Sequence, residues 1–194
     1  MTISSVTEFD SQAVHLAGRE KSRIRGFSLI ELLVTITVLA VLLAIGIPSF
    51  RDMILSSKLS SYANDFVVST HLARSEAIKR NARVLMCVSL NGTSCTSGNW
   101  SQGWVVFHDA NNNDAMDSGE AVIQRQTALS TGFSMTTTSP AVAVLRFDPT
   151  GVGVKATTVT ICQSSPLVGN QERVIAVTAT GRTSVTTTRN GACT

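Results

Sequence analysis

The stretch Phe27–Ile47, FSLIELLVTITVLAVLLAIGI, decides the fold of this 194-residue chain. Glu31 is the only charged residue in it. A helix of this length, rising about 1.5 Å per residue, spans roughly 30 Å, which is the thickness of the hydrocarbon core of a bilayer. We therefore predict that residues 27–47 form a transmembrane helix.

The residues in front of this stretch predict its orientation. Their basic members outnumber the acidic ones and are Arg19, Lys21, Arg23 and Arg25. Positively charged flanks stay in the cytoplasm, so we expect everything after Pro48 to lie outside. The predicted location is the inner membrane, with a single pass and a periplasmic C-terminal domain. The net charge of +3 is too small to indicate a nucleic-acid-binding protein by itself.

A glycine directly precedes the apolar stretch, in Gly26-Phe27-Ser28-Leu29-Ile30-Glu31. An ordinary secretory signal instead has a small-residue cleavage site after its apolar part, where this chain continues into Pro48. A carboxylate in a bilayer costs about 2.5–3.5 kcal/mol on insertion scales, so Glu31 needs a partner. The alternative, a plain signal-anchor helix with a stray glutamate, does not explain Gly, Phe and Glu at this spacing.

These residues resemble the class III prepilin signature, GF(S/T)L(I/V)E followed by a long apolar stretch. The resemblance implies that a prepilin peptidase cleaves between Gly26 and Phe27 and N-methylates the Phe27 amine. Residues 1–26 would then be a cleaved leader, long for this group. The resemblance also implies that Glu31 pairs with the amine of a neighbouring subunit during assembly. Pro48 stands where many type IVa pilins have a helix-kinking proline.

Helical periodicity continues beyond Pro48. Apolar residues recur at spacings of three, four and seven, at Leu55, Leu59, Tyr62, Phe66, Ala73 and Ala77. The chain is therefore predicted to be helical over residues 27–81, with an amphipathic second half.

From Arg83 onward, short runs rich in Val, Ile, Thr and Phe alternate with Gly, Asn, Ser and Pro, which predicts strands. The predicted strands are Arg83–Leu90, Gly103–His108, Ala121–Gln126, Phe133–Thr137, Val142–Phe147, Thr157–Gln163, Arg173–Thr180 and Thr183–Thr188. The segment Ser134–Ser139 could instead be a loop. The predicted fold is α+β and pilin-like, with the long helix packed against an antiparallel sheet in a β-rich periplasmic head, residues 82–194.

Short motifs in the head follow the order found in the GspH/FimT group. They include ARSEAIKRN at 73–81, GWVVF at 103–107, Phe147-x-Pro149-x-Gly151 and Thr180-Gly181-Arg182. Members of that group resemble minor pilins and minor pseudopilins of type II secretion. The resemblance implies a subunit that assembles into, and primes or caps, a type IV pilus or pseudopilus. Its partners would be the prepilin peptidase and other minor and major pilins or pseudopilins; no cofactor is implied.

The four cysteines lie in the predicted periplasmic part, an oxidising compartment, so two disulfides are expected. Four cysteines can form two disulfides in three different ways. Cys87 and Cys95 flank Asn91-Gly92, a strong hairpin-turn dipeptide, so a bridge across such a hairpin is sterically sensible. Cys162 lies in a late predicted strand and Cys193 near the end of the chain. We predict the pairs 87–95 and 162–193, the second worth about 3–4 kcal/mol through loop closure.

Residues 109–120, DANNNDAMDSGE, superimpose on the EF-hand calcium loop at positions one, three, five, nine and twelve. The sixth position is Asp114, where the sharp turn normally requires glycine, and strands rather than helices are predicted on both sides. We therefore favour an Asx-rich turn and predict no metal site, with calcium binding as the alternative.

Some FimT-like proteins resemble DNA-binding components of natural transformation, with a C-terminal G-R-x-R patch. Here Gly181-Arg182-Thr183-Ser184 keeps the first arginine and lacks the second. Arg173, Arg189 and Lys155 could add phosphate contacts. DNA is therefore the alternative partner, and a solvated strand edge with a few cations is the favoured interpretation.

No catalytic motif is present. His15, His71 and His108 are not joined by a serine or cysteine at a recognisable spacing, and the chain lacks G-x-S-x-G, H-E-x-x-H and P-loop sequences. We predict that the protein is not an enzyme.

Overall fold

The computed structural model describes residues 26–137, 142–164 and 167–187. The chain divides into two compact units, Met1–Ala44 and Ile45–Thr194. In the described residues the order of elements is α1 (Leu29–Arg80), β1 (Val84–Val88), a 3₁₀ turn (Trp100–Gln102), β2 (Trp104–His108), β3 (Val122–Gln126), β4 (Phe133–Thr137), β5 (Val144–Phe147), β6 (Thr157–Ser164), β7 (Leu167–Val177) and β8 (Thr183–Thr186). The predicted α+β fold class is confirmed.

Helix α1 begins after Ser28 and contains Pro48 without ending there. It ends where Asn81 adopts a left-handed backbone conformation with φ of 49°. The Ala82 N–H then donates to the Ala77 carbonyl at 3.2 Å, which satisfies one of the last helical acceptors. Asparagine tolerates this conformation better than most residues with a side chain, so the helix ends at the motif that the sequence places there.

Two four-stranded antiparallel sheets make up the head, where the sequence predicted an antiparallel sheet without dividing it. Sheet A has the order β3-β2-β1-β5, and sheet B has the order β4-β6-β7-β8. Strands β4 and β5 are consecutive in sequence but belong to different sheets. The chain therefore starts sheet B before it completes sheet A.

Most predicted strands differ from the observed ones by one or two residues at an end, and Ser134–Thr137 belongs to a strand rather than a loop. The largest error concerns β7, which was predicted to begin at Arg173 and begins at Leu167. Its backbone pairs with β6 as far as Ser164↔Leu167. Antiparallel pairing with a neighbour therefore overrides the turn propensity of Gly169 and Asn170.

The main core lies between one side of α1 and both sheets. At its centre the Phe66 ring meets the rings of Trp100 and Trp104 edge-on, with centroids 5.1 and 5.6 Å apart. Each indole N–H has a buried partner: Trp104 donates to Ser69 Oγ at 3.0 Å and Trp100 to the Val142 carbonyl at 2.9 Å. Edge-to-face rings and satisfied indoles indicate a core with one defined packing.

A second, smaller core covers the opposite face of sheet A. It consists of Leu85, Cys87, Val105 and Phe107, with Cys95, Met116, Val122 and Val144 packed around them. Both faces of β1 are therefore buried, which explains its unbroken apolar sequence VLMCV. The loops that follow β1 and β2 supply Cys95 and Met116 to this cover.

Candidate assembly site

The residues before α1 are Gly26, Phe27 and Ser28, and none of the three is helical. The Ser28 carbonyl accepts the first helical hydrogen bond, from the Leu32 N–H at 3.1 Å. Its hydroxyl accepts the Glu31 N–H at 3.2 Å. Ser28 is thus the N-cap of α1. Sequence reasoning missed this role, although serine followed three residues later by glutamate before an apolar run is a recognised helix-start pattern.

Glu31 lies in the first turn of α1, and its side chain is exposed. A negative charge there is favoured by the helix dipole and the unpaired N–H groups of the first turn. The neighbouring side chains are apolar and exposed on every side of the helix, as shown by Leu29 at 82% and Ile45 at 69% exposure. By length and composition, α1 can cross a membrane. An all-round apolar surface of this kind needs lipid or other helices to cover it.

Pro48 lies within α1, in the unit that contains the head. Proline has no N–H, so the carbonyl four residues earlier, that of Ala44, loses its normal helical donor. The helix nevertheless continues on both sides of Pro48.

The predicted disulfide between Cys87 and Cys95 is confirmed, with Cα atoms 5.6 Å apart. The hairpin that was expected to carry it is absent from the described structure. Strands β2 and β5 occupy both edges of β1, so the chain around Cys95 forms no strand beside it, although the Thr96 N–H donates to the Val88 carbonyl at the end of β1, at 2.8 Å. Instead the Asn91 side chain accepts the N–H groups of Thr93 and Ser94 and closes a loop.

Cys162 is disulfide-bonded as well. Its predicted partner Cys193 lies outside the described residues, so the 162–193 pairing remains a prediction.

The loop Asp109–Glu120 gathers the side chains that were compared with a calcium loop. Asp109 accepts the N–H groups of Asn113 and Asp114, and Glu120 accepts those of Ala110 and Asp117. The amides of Asn111 and Asn113 both donate to Asp117 Oδ2, at 2.8 and 2.7 Å. In the parts of the chain that the structure describes, no group of three acidic, histidine or cysteine side chains is arranged to hold a metal.

Two arginines fix this loop to the sheet. The Arg83 guanidinium lies 3.3 Å from Asp114 and 3.4 Å from Asp148, and 3.6 Å from the fully buried Asp109 carboxylate. Arg146 approaches Asp114 and Asp148 at 3.6 and 3.7 Å. The network joins three segments that are distant in sequence, and no local sequence pattern signals it. It supplies the positive charge that the acidic loop requires.

The cations considered for phosphate binding do not form one surface in the described residues. Arg182 is exposed in the turn between β7 and β8. Arg173 instead donates to the hydroxyls of Ser56 and Ser60 on α1, at 2.8 and 3.2 Å. Its guanidinium therefore joins sheet B to the helix, and its phosphate contact remains a prediction. Lys155 lies beside Asp114 and Arg146. Arg189 lies outside the described residues.

The histidines have no catalytic arrangement in the described structure. The His71 ring is 3.1 Å from the Thr183 hydroxyl and joins α1 to β8. His108 is the last residue of β2, and the side chain of the Asp109 that follows it is engaged by its own loop. His15 lies outside the described residues.

Two family descriptions match the chain. "Type II transport protein GspH" matches residues 62–181, and "Prokaryotic N-terminal methylation motif" matches residues 21–47. Together they cover most of the head with the last part of α1, and the apolar stretch with part of its basic flank. The first match alone spans more than half of the chain.

Among curated proteins, the pilin-like protein PilA1 of Thermus thermophilus is 30% identical over 164 residues, which are 81% of this chain and 96% of that protein. Among solved structures, the type IV minor pilin FimU of Pseudomonas aeruginosa matches with a TM-score of 0.50 and 18% identity, over 67% of this chain and 89% of that one. The minor pseudopilin EpsH of Vibrio cholerae matches with a TM-score of 0.48 and 14% identity, over 67% and 97%.

Proposed function

Because the chain belongs to the GspH family of pilin-like proteins, we propose that it is a minor pilin or minor pseudopilin that primes or caps a filament. The filament is a type IV pilus or the pseudopilus of type II secretion. The protein acts through assembly and carries out no catalysis. It is made as a prepilin, with residues 1–26 as the leader.

The exposed apolar segment of α1 supports this proposal most directly. From Phe27 to Ile54 every residue is exposed, and the large apolar ones are about half to four-fifths exposed. Covering one such side chain contributes about 1.5–3 kcal/mol, so a monomer with a bare segment is strongly disfavoured in water. Lipid covers the segment before assembly, and the helices of neighbouring subunits cover it afterwards.

Glu31 selects the register in which subunits join. Its carboxylate is the only charge between Phe27 and Phe50. After cleavage at Gly26, the Phe27 amine of a neighbouring subunit is the partner of opposite charge. Pairing the Glu31 carboxylate with the Phe27 amine neutralises both charges within the membrane. A shifted register leaves both charges unpaired.

The inner membrane and the periplasm are the compartments that this mechanism requires. The basic residues before Gly26 keep the leader in the cytoplasm, where the prepilin peptidase would act. The head lies in the periplasm, in agreement with its Cys87–Cys95 disulfide. The partners are the peptidase and the other pilins or pseudopilins of the host filament.

Mass spectrometry of the protein purified from cells that contain the peptidase tests the processing step. The expected product begins with N-methyl-Phe27, and the same chain from cells without the peptidase retains residues 1–26. A mature N-terminus at any other residue would contradict the proposal.

Filament incorporation of Glu31→Gln tests the pairing step, since the amide keeps the shape of the side chain and removes its charge. We expect incorporation to fall at least tenfold while membrane insertion is unchanged. Thr35→Ala, which removes a hydroxyl one turn later, is the matched control and should be incorporated normally. Normal incorporation of Glu31→Gln would exclude the pairing mechanism.

A further inference from the structure

The N-cap of α1 stands two residues after the bond that the proposed processing would cut. We propose that Ser28 is a positioning residue for this cleavage: by capping α1, it holds the Gly26–Phe27 peptide bond outside the helix. The inference rests on the proposed function, because it concerns the step that would convert the prepilin into the mature subunit.

The hydrogen bonds at the start of α1 carry the inference. In a longer helix the Glu31 N–H would donate to the Phe27 carbonyl, four residues earlier. Here it donates to the Ser28 hydroxyl at 3.2 Å. The first helical bond runs from the Leu32 N–H to the Ser28 carbonyl at 3.1 Å. The Gly26 and Phe27 carbonyls therefore precede the first acceptor of the helix.

Cleavage requires this conformation for a chemical reason. Hydrolysis adds one water to the carbonyl carbon of Gly26, breaks its bond to the Phe27 nitrogen, and leaves a Gly26 carboxylate and a Phe27 amine. A peptidase must bind the backbone groups on either side of that carbonyl, as extended peptides are bound through their main chain. A carbonyl that already accepts a helical N–H, within a turn of side chains, is not available for this contact.

Without the Ser28 cap, we expect α1 to extend toward the N-terminus. Alanine has the highest helix propensity, and an unpaired N–H is especially costly where water is scarce. The next residue that caps well is Gly26. A helix capped there would use the Gly26 carbonyl as its first acceptor, with the Ile30 N–H as donor. The bond to be cut would then belong to the helix.

The cap explanation makes a prediction that separates it from recognition of the serine hydroxyl. Glycine caps a helix nearly as well as serine although it has no hydroxyl, and threonine keeps the hydroxyl and also caps. Loss of a typical cap shifts the equilibrium between a helix that starts at that cap and one that does not by about fivefold. Cleavage should therefore follow capping strength, with the wild-type chain, Ser28→Thr and Ser28→Gly alike and Ser28→Ala slower.

The test uses the full-length prepilin in lipid vesicles with purified prepilin peptidase, under single-turnover conditions. We expect Ser28→Thr and Ser28→Gly to be cut within about twofold of the wild-type rate, and Ser28→Ala about fivefold more slowly. Thr35→Ala is the matched control, since the Thr35 hydroxyl bonds to the Leu32 carbonyl within the helix, and it should be cut at the wild-type rate.

A second measurement tests the conformation directly. In micelles, the carbonyl carbon-13 chemical shift of Gly26 should move toward helical values in Ser28→Ala and stay unchanged in Ser28→Gly. Wild-type cleavage of Ser28→Ala, or cleavage of Ser28→Gly as slow as that of Ser28→Ala, would overturn the inference and leave the proposed function intact. Failure of the wild-type chain to be cut between Gly26 and Phe27 would instead overturn the proposed function.

Discussion

The two parts of α1 share one backbone conformation and differ completely in what surrounds them. Residues 29–54 are exposed, whereas the following part buries one stripe: Leu55, Leu59, Ala63, Phe66, Ser69, Thr70, Ala73 and Ala77. The stripe follows the three- and four-residue spacing of a helix face, and the exposed part is apolar on all faces. The sequence pattern of each part therefore indicates its environment, and helix formation alone indicates neither.

Different forces stabilise the two parts as a result. The buried stripe depends on close packing against the sheets, where removing atoms leaves a cavity. The exposed part depends on lipid or neighbouring helices, which can adapt to a change of one side chain. Matched substitutions in the two parts should therefore affect head stability very differently.

Phe66→Ala should have the largest effect, because Phe66 is fully buried against both tryptophans. We expect the free energy of unfolding of the head to fall by about 3–5 kcal/mol. Leu39→Ala, at a site that is 54% exposed in the apolar part, should leave it unchanged. Both tryptophans lie in the head, so urea unfolding of the full chain in micelles, followed by their fluorescence, measures this quantity. Equal losses for the two variants would contradict the distinction.

The paired change Cys87→Ala with Cys95→Ala should have the next largest effect. The bridge closes a loop with a sequence separation of 8. Without it the unfolded chain gains entropy, which should lower the free energy of unfolding by about 2.5 kcal/mol on the loop-closure relation. Alanine avoids burying a hydroxyl at Cys87, which is fully buried. The same urea titration measures the loss, and an unchanged midpoint would show that the bridge does not stabilise the head.

Ser69→Ala tests the polar part of the buried stripe. Its hydroxyl is the partner of the Trp104 indole N–H, which would remain buried and unpaired at a cost of about 1–3 kcal/mol. Ser75→Ala is the control, since the exposed Ser75 hydroxyl bonds to the Leu72 carbonyl of the preceding turn. A comparable loss for both variants would contradict a specific role of the Trp104 contact, because alanine has the higher helix propensity and the replacement alone should not destabilise α1.

Glu76→Gln should have the smallest effect on stability, because the ion pairs of Glu76 lie at the surface. The hydrogen bond from Arg80, at 2.6 Å, lowers the pKa of the Glu76 carboxyl below its ordinary value of 4.5, and Lys79 adds to this. A carboxyl with a lower pKa in the folded state stabilises at neutral pH and loses this contribution as the pH falls through that pKa. Glu76→Gln should therefore lower Tm slightly at pH 7 and leave it unchanged at pH 3. A larger Tm difference between Glu76→Gln and the wild-type chain at pH 3 than at pH 7 would contradict the predicted pH dependence.

Much of the architecture follows from local pattern. The buried stripe has helical spacing, the strands are β-branched runs, and the helix stops at an asparagine that tolerates φ of 49°. The role of Ser28 could also have been read, since its hydroxyl and Glu31 have the spacing of an N-terminal capping pattern. These features depend on residues within a few positions of one another.

The errors arose where contacts between segments distant in sequence determine the structure. Arg173 was interpreted as an exposed cation and instead binds Ser56 and Ser60, more than a hundred residues earlier. The Asn91-Gly92 dipeptide predicted a hairpin, and the pairing of β1 with β5 leaves no edge for one. Contacts of this kind depend on which strands become neighbours, and a single sequence does not state that.

The exchange of β4 and β5 between the sheets has a consequence for how the head is made. Sheet A acquires its last strand only after the chain has left it to begin sheet B. No continuous piece of sequence contains one sheet complete and free of the other. The head should therefore fold cooperatively in a single step once most of its chain is available, and a chain truncated after β3 should yield no stable half-domain.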